Sequence, residues 1–584
     1  MSSGPSPTGR RLLRRGITIT TALALGSAGV MVAATQASAA AGCRVTYTVG
    51  NTWSTGFGAN ISLTNLGDPI TGGWRLEYSF SGNQRVTSGW NGVFAQSGAN
   101  VTVTNPSWQT GLATNQTVTP GFNADFSGTN ASPTTFRLNG TVCTGTVAPT
   151  DPTTPPTGGP TTPPPTDPGT PGARAANPYV GRGYVNPEWA AKATAEPGGS
   201  RIANQPTAVW LDRIAAIEGT ENSSSNGSMG VRDHLDRALT QNAAYIQFVI
   251  YNLPGRDCAA LASNGELPAD AIGRYRTEYI DPITTIFADP KYRALRIITV
   301  IEIDSLPNLV TNTGSRATAT ANCNTMLANR NYQNGISYAL TRFSTIPNVY
   351  KYIDAGHHGW IGWADNFGPS AQLFAETARM STGGQANVDG FIVNTANYSA
   401  LREPFITSNE QTRLSRWIDY NPFVDELSFA QAFRQELVRQ GFSNDIGMLI
   451  DTSRNGWGGP NRPTAASTAT DLNTRIHASR IDRRGHLGNW CNQAGAGLGE
   501  RPRANPEPGI DAYVWVKPPG ESDGSSTLIP NNEGKGFDQM CDPNYGGNPR
   551  NNNNPTTALP GAPISGAWFS AQFRQLMANA FPAL

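Results

Sequence analysis

Acidic side chains recur just after short apolar runs in the second half of this 584-residue chain. Asp212 follows Ala208-Val-Trp-Leu211, and Asp257 follows Tyr251 by six positions. Glu302 and Asp304 end another run, Asp354 ends a third with His357 behind it, and Asp451 ends a fourth. Lys517, Glu521 and Asp523 follow the last. Asn394 and Asn397 and the tryptophans Trp210, Trp360, Trp363 and Trp490 stand near the same kind of boundary. Paired carboxylates supply a proton donor and a base, while an indole face stacks on the apolar face of a sugar ring. The chemistry that combination serves is glycoside hydrolysis. Taken singly, an acid after a strand is more often a turn or cap residue, and that bland reading fits Asp451. Trp189, Trp417, Trp515 and Trp568 are expected in the core. The five His are scattered and form no HExxH, no GxSxG elbow occurs, and no cysteine remains once all six pair. No metal, cofactor or covalent serine or cysteine chemistry is therefore expected.

Such residues converge only if parallel strands present their carboxyl ends together. Period and length predict strands at 207–212, 244–253, 295–305, 349–355, 390–397, 445–451 and 511–516. Helices are predicted between them at 269–288, 325–344, 369–380 and 422–440. Repeated strand–helix units argue an α/β fold with a parallel sheet, and seven strands in about 400 residues fit a barrel whose site lies at the strand carboxyl ends. An open doubly wound sheet is the alternative, and no GxGxxG at the first turn favours it.

The chain carries 43 Lys+Arg against 42 Asp+Glu, and charged residues are only 15% of it, so no basic stripe recommends a nucleic acid. At the start, Arg10, Arg11, Arg14 and Arg15 precede an apolar stretch from Ile17 to Ala34 and an Ala37-Ser-Ala39 cleavage triplet. Residues 1–39 are therefore expected to be a signal peptide, the mature protein being secreted, extracellular and free of the membrane. Residues 145–176 are expected to be a Pro/Thr linker, extended by composition. It separates a module at 40–144 from a larger domain at 177–584. The module alternates apolar and polar residues between Gly, Asn, Ser and Pro breaks, which predicts an all-β sandwich. Trp74 begins an alternating run and is expected in its core. Trp53, Trp90 and Trp108 occupy turn-like contexts and are expected on the surface. Between Cys43 and Cys143 stand four Arg, three acids and no Lys, so stacking on a neutral face is expected rather than ionic binding. Export permits disulfides, and Cys43 and Cys143, alone before the linker, are left to each other; Cys258, Cys323, Cys491 and Cys541 allow three pairings.

Four blocks in order carry a resemblance. Tyr251-Asn-Leu-Pro-Gly-Arg-Asp-Cys258 running into Ala262-Ser-Asn-Gly-Glu266, Ile301-Glu-Ile-Asp-Ser-Leu306, Asp354-Ala-Gly-His-His-Gly-Trp-Ile-Gly-Trp363, and Trp515-Val-Lys-Pro-Pro-Gly-Glu-Ser-Asp-Gly524 resemble those of glycoside hydrolase family 6 cellulases. The resemblance covers about 177–584 and implies a distorted seven-stranded barrel that hydrolyses β-1,4-glucan with inversion. It implies Asp304 as general acid, Asp257 as the carboxylate that raises its pKa and joins the base-side relay, and Asp523 as the other candidate base. Tyr251 would press on the distorted sugar and Ser263 hold the attacking water. Trp210, Asp212, Trp490, Lys517 and Glu521 fall on positions for the glycone side, and His357, Trp360, Trp363 and Asn397 on the leaving side. Where fungal members often read Glu-Cys-Asp this chain has Glu521-Ser522-Asp523, so the resemblance implies Cys491 with Cys541 and Cys258 with Cys323. The N-terminal sandwich resembles a family 2 cellulose-binding module, with Trp53, Trp90 and Trp108 on its binding face.

The expected partners are crystalline cellulose and β-1,4-glucan chains, bound by a monomer. Connections at 452–489 and 521–565 far exceed the usual four to six residues. In the resembling family such loops roof the cleft of cellobiohydrolases that release cellobiose from non-reducing ends. Exo action is therefore expected, with an endo-acting glucanase of the same family as the alternative and a non-catalytic glucan-binding adhesin behind both.

Overall fold

The computed structural model describes residues 42–143 and 174–584, apart from 54–55, 107–108, 110, 115, 128–129, 222 and 224–226. The expected leader, most of the linker and Trp108 lie outside the described residues, as does the side chain of Trp53. The described residues form two compact units, one on each side of the linker.

The first unit is a sandwich of two antiparallel sheets. One orders β1 (Cys43–Trp53), β2 (Gly56–Asn65), β8 (Gly121–Asp125) and β4 (Arg85–Trp90), with β7 (Thr117–Val118) also on β2. The other orders β10 (Thr141–Val142), β9 (Phe136–Leu138), β3 (Arg75–Ser79), β6 (Asn100–Thr104) and β5 (Val93–Ser97). Alternation turns Val45, Tyr47, Ile61, Leu63, Leu76, Tyr78, Val101 and Val103 inward around Phe122 and Trp74, which is 1% exposed. Cys43 and Cys143 are joined across 100 residues, a closure worth about 4–5 kcal/mol in the chain-entropy model. Trp53 and Trp90 are the last residues of strands rather than turn residues, a difference of one pleat from the sequence expectation. Trp90 pairs with Gly121, and its indole lies 2.5 Å from where a Cβ of Gly121 would stand. Only glycine lets that ring lie flat on the neighbouring strand while 40% of the residue remains exposed.

The second unit carries all seven expected parallel strands: β11 (Val209–Leu211), β12 (Tyr245–Ile250), β13 (Arg296–Ile301), β14 (Val349–Asp354), β15 (Gly390–Val393), β16 (Gly447–Asp451) and β18 (Ile510–Val514). An eighth, β17 (Arg503–Glu507), runs antiparallel to β18 and was not expected, because Arg503-Ala-Asn-Pro-Glu507 has no apolar alternation. The sheet curls until Thr207 bridges Trp515, while Trp210 Nε1 donates to the Val516 carbonyl at 2.8 Å. The segment that leads into β11 thus touches the residues just after β18, with no continuous strand pairing between the two, and the product is a distorted α/β barrel. Val249, Ile298, Val300, Tyr352, Ile392, Leu449 and Val514 fill its inside; Phe248, Ile250, Ile297, Ile353 and Phe391 face the surrounding helices.

All four expected helices differ in extent, the fourth running Glu426–Arg439. Ile272–Phe287 passes through a wide π-type turn at Tyr275–Ile280, and 325–344 divides at Arg330, whose φ is 58°. The third runs Ala364–Arg379 with Pro369 inside it. Proline cannot bond the carbonyl four residues back, and Arg316 Nη2 takes that Asp365 carbonyl at 3.1 Å. No helix among the described residues is long and apolar enough to cross a membrane.

Candidate active site

The barrel strands end in residues whose backbones are bent to present side chains. Asp257, Glu302, Asp304, Asn394 and Ala396 all have φ between 54° and 62°, a left-handed region costly for residues other than glycine. Asp257, Asp304 and Ala396 of these line a cavity of about 350 Å³ at the carboxyl ends of the strands. Asp257, Asp304 and Asp523 line it together with Tyr251, Ser263, His357, Asn397 and Lys517, and four tryptophans, Trp210, Trp360, Trp363 and Trp490, form much of its apolar wall. Of the strand-end residues read from the sequence, Asp212, Arg256, Glu302, Asp354, Asn394, Asp451 and Glu521 are not among the lining residues.

Asp304 is held at its backbone, leaving its carboxyl to the cavity. Its N–H donates to Asp354 Oδ2 at 3.1 Å and its carbonyl accepts from Asn308 Nδ2 at 2.5 Å. Burial pushes the Asp304 carboxyl well above the usual range, and the nearby charges of Asp257, Asp354 and Asp523 push it the same way. A carboxylic acid that keeps its proton near neutrality is what a poor leaving group such as a sugar oxygen requires.

Asp257 accepts from the Tyr251 hydroxyl at 2.5 Å and from the Ser263 hydroxyl, while its Oδ1 has no hydrogen-bond partner. Burial pushes it up to about 6 against those two bonds and the Arg256 charge. Arg256 holds the surrounding chain in place: it donates to the carbonyls of Tyr251, Asp212, Ser263 and Asn264 and lies 4.1 Å from the Tyr251 ring centre. Tyr251 in turn packs edge-on against Trp210, with ring centres 5.4 Å apart.

Asp523 is bound up more completely. Arg454 Nη1 donates to its two oxygens at 2.8 and 3.0 Å, Tyr398 and the Asn492 N–H donate to Oδ2 at 2.6 and 2.8 Å, and Lys517 Nζ stands 3.9 Å from Oδ1. Lys517 also lies 5.0 Å from the Trp210 ring centre. Asp451 accepts from the N–H groups of Ala396, Ser453 and Lys517, and so behaves as the turn-bracing acid of the bland reading. Asn397 Oδ1 accepts from the buried Arg484 at 2.8 Å, and Arg484 Nη2 reaches Ser399, itself 3.3 Å from His357 Nδ1. Burial, then the Arg484 charge, holds His357 well below its ordinary pKa.

Asp212 is engaged elsewhere. Lys535 Nζ bonds its Oδ2, and Arg213 Nε stands 3.5 Å from its Oδ1. Burial alone would raise its pKa, but the Lys535, Arg256 and Arg213 charges outweigh burial and hold the carboxyl well below the usual range. Glu521 is pushed up to about 7 by burial, with Lys517 and Lys192 opposing. His357, His358 and Glu426 bring three possible metal donors together, but His358 Nδ1 is 2.6 Å from Glu426 Oε1, which the His358 N–H also engages. His358 and one oxygen of Glu426 are thus engaged with each other, and His357 Nδ1 lies 3.3 Å from the Ser399 hydroxyl.

Both long connections are built into the wall. His486 and Gly488 of the first, and Arg550, Asn552 and Ser565 of the second, line the cavity. Asn551 is fully buried, its Nδ2 bonding Asn489 Oδ1 at 2.9 Å, and so joins the two loops, while Asn552 and Asn553 beside it remain exposed. Cys491 pairs with Cys541 and Cys258 with Cys323. Across the cavity, Arg550 Nη1 donates to the Ala259 carbonyl at 2.6 Å, and Leu261 exchanges bonds with Gly536 and Asp538. Asp354 and Arg256 stood among the strand-end residues read from the sequence, without an assigned role. Sequence reasoning missed Arg454, Tyr398, Arg484 and Lys535 as parts of the site, because no pattern distinguishes a buried partner from a surface residue there.

Residues 184–580 match the family model described as glycosyl hydrolases family 6, and 43–143 match that of a cellulose binding domain. Exoglucanase A of Cellulomonas fimi is 48% identical over 437 residues, 70% of this chain and 49% of that protein. The chain thus spans about half the length of that relative. A probable 1,4-beta-D-glucan cellobiohydrolase C of Neosartorya fischeri is 34% identical over 429 residues, 70% of this chain and 80% of that one. Among solved structures, the catalytic domain of Cellulomonas fimi Cel6B matches with a TM-score of 0.66 at 48% identity, over 70% of this chain and 96% of that domain. Cellobiohydrolase II of Humicola insolens, in complex with glucose and cellotetraose, matches at 0.53 and 30% identity, over 70% and 100%.

Proposed function

Because the chain belongs to glycosyl hydrolase family 6, we propose that it is a secreted, inverting β-1,4-glucanase that degrades cellulose from non-reducing chain ends and releases cellobiose. The observation that carries this reading is the gathering of Asp257, Asp304 and Asp523 in one tryptophan-walled cavity, with Asp304 biased toward its protonated form. The expected domain limits, 1–39, 40–144, 145–176 and 177–584, belong to the same proposal. So does cellulose binding by a face that includes Trp53, Trp90 and Trp108.

In the proposed reaction a glucan chain lies across the indoles, and Tyr251 crowds the sugar at the scissile bond. Asp304 gives its proton to the glycosidic oxygen as that bond breaks. A water held by Ser263 attacks the opposite face, and its proton passes to Asp257. Two features favour Asp257 over Asp523 as acceptor: its Oδ1 is unpartnered, whereas both oxygens of Asp523 are tied to Arg454. Asp523 then acts as a fixed negative charge near the oxocarbenium-like transition state. Lys517, Glu521 and Asp212 are assigned to the glycone end, Asp212 through Lys535. His357, Asn397, Trp360 and Trp363 are assigned to the leaving side.

Exo action is favoured by the contacts between loops and opposite lip, Arg550 to Ala259 and Asp538 to Leu261, which would hinder a chain from entering sideways. Viscometry of carboxymethylcellulose with product sizing from crystalline cellulose tests the reading. Soluble cellobiose with slowly falling viscosity is expected. A rapid early fall would establish the endo-acting alternative, and no soluble product at all would leave a glucan-binding adhesin.

A further inference from the structure

Three large aromatic side chains are conspicuously exposed among the described residues: Trp90, Phe581 and Tyr420. Trp90 belongs to the sandwich face, and Phe581 is covered by the Arg462 guanidinium, 3.4 Å from its ring centre. Tyr420 is 66% exposed. Its backbone is also in an unusual state, with φ of 63° following 47° at Asp419. Consecutive left-handed residues without glycine cost free energy, and tyrosine is among the residues least suited to that region. The conformation is nonetheless held firmly. Asp419 and Tyr420 donate their N–H groups to the Ser415 and Arg413 carbonyls at 2.8 Å each, and the fully buried Asn421 anchors to the His358 carbonyl.

This strained corner adjoins the cavity. Asp419 lines it, and the Asp419 carbonyl accepts from Trp363 Nε1 at 2.7 Å. Trp360 is fixed similarly through Thr311, at 2.8 Å. Trp360, Trp363 and Asp419 thus line the cavity together, and Tyr420, the residue after Asp419, is exposed to solvent on a backbone pinned by hydrogen bonds. Arg316 and Asn366, at the same end, are also cavity-lining. A solvent-exposed ring on a firmly held backbone, one residue from an aromatic-walled cavity, has the chemistry to stack on one more pyranose face.

We propose that Tyr420 is an additional stacking platform for the β-1,4-glucan chain, outside Trp363, that engages only chains long enough to project from the leaving-side end of the cavity. This rests on the glucanase reading above and adds a binding position to it.

The test exploits the strain. Tyr420→Gly removes the ring and relieves the left-handed backbone, so the full-length variant should unfold at the same temperature as the wild type or higher. Turnover of cellotetraose, too short to reach the platform, should be unchanged, while the rate of cellobiose release from crystalline cellulose should fall about three- to ten-fold, the range of one aromatic contact. Tyr420→Phe, which keeps a stacking face, should restore most of that rate. Equal rates for wild type and Tyr420→Gly on crystalline cellulose would overturn the platform while leaving the glucanase reading intact, and so would equal losses on both substrates. A wild-type chain inactive on both would overturn the glucanase reading and the platform with it.

Discussion

Lys535 lies in the long connection after the last barrel strand, and its ammonium is buried on the Asp212 carboxylate. Beside it, Glu533 pairs with Arg213 at 2.6 Å, and Gly536 and Asp538 bond the backbone of Leu261, two residues before Ser263. Lys535→Met keeps the stem and removes the charge. Breaking a buried pair costs about 3–5 kcal/mol because the remaining charge is uncompensated. Arg213 and Arg256 stay near Asp212, so the lower end, about 3 kcal/mol, applies. If the loss falls on the segment rather than the whole domain, its detached population rises about a hundredfold. The sign with pH follows from Asp212. Its folded pKa is depressed, so the pair's stabilisation is present above the ordinary carboxylate pKa and lost only as pH falls through the lower folded value. Calorimetry at neutral pH should show a lower Tm, and viscometry of carboxymethylcellulose should show a larger share of internal cuts. Adding Asp212→Asn to Lys535→Met should cost less than the two single changes together. An unchanged Tm and an unchanged ratio of viscosity loss to cellobiose release in Lys535→Met would refute the idea that the Lys535–Asp212 pair holds this loop in place.

Other consequences are independent of that loop. Asp304→Ala should lower turnover of cellulose by about 10²- to 10⁴-fold but far less on a glycoside whose leaving group needs no proton, measured as kcat/KM on both. Asp257→Asn removes an anion that raises Asp304. Activity needs Asp304 protonated and is lost as pH rises through its pKa, so the residual alkaline limb of the pH profile should move to lower pH. Replacing Trp53, Trp90 and Trp108 with Ala should remove most adsorption to crystalline cellulose in a depletion assay and spare hydrolysis of soluble glucan. Deleting 525–554 should favour internal cuts and, because it takes Cys541 from Cys491, also lower Tm.

The parallel strands were legible because a sheet buried on both faces writes mostly apolar runs, as in Tyr245–Ile250, where every residue is buried and only Gln247 interrupts the run. The carboxylates were legible because strand ends are where such a barrel gathers its chemistry. β17 was hidden because its residues are mostly polar and its partner is a strand already recognised. Asp212 shows the deeper limit. Its position at a strand end suggested a sugar contact, but whether a carboxylate faces a cavity or a lysine depends on a residue 323 positions away. Asn551 errs the other way: the Asn551–Asn554 composition reads as solvated loop, yet the fit against Asn489 buries Asn551 while Asn552 and Asn553 stay exposed.

The central claim is that Asp304 protonates the leaving oxygen while water attacks from the other face. Proton NMR of the first cellobiose released by the full-length protein from a soluble cellooligosaccharide tests it most directly, read before mutarotation. The account predicts the α-anomer. Initial β-cellobiose would mean that the configuration is retained, and would contradict it.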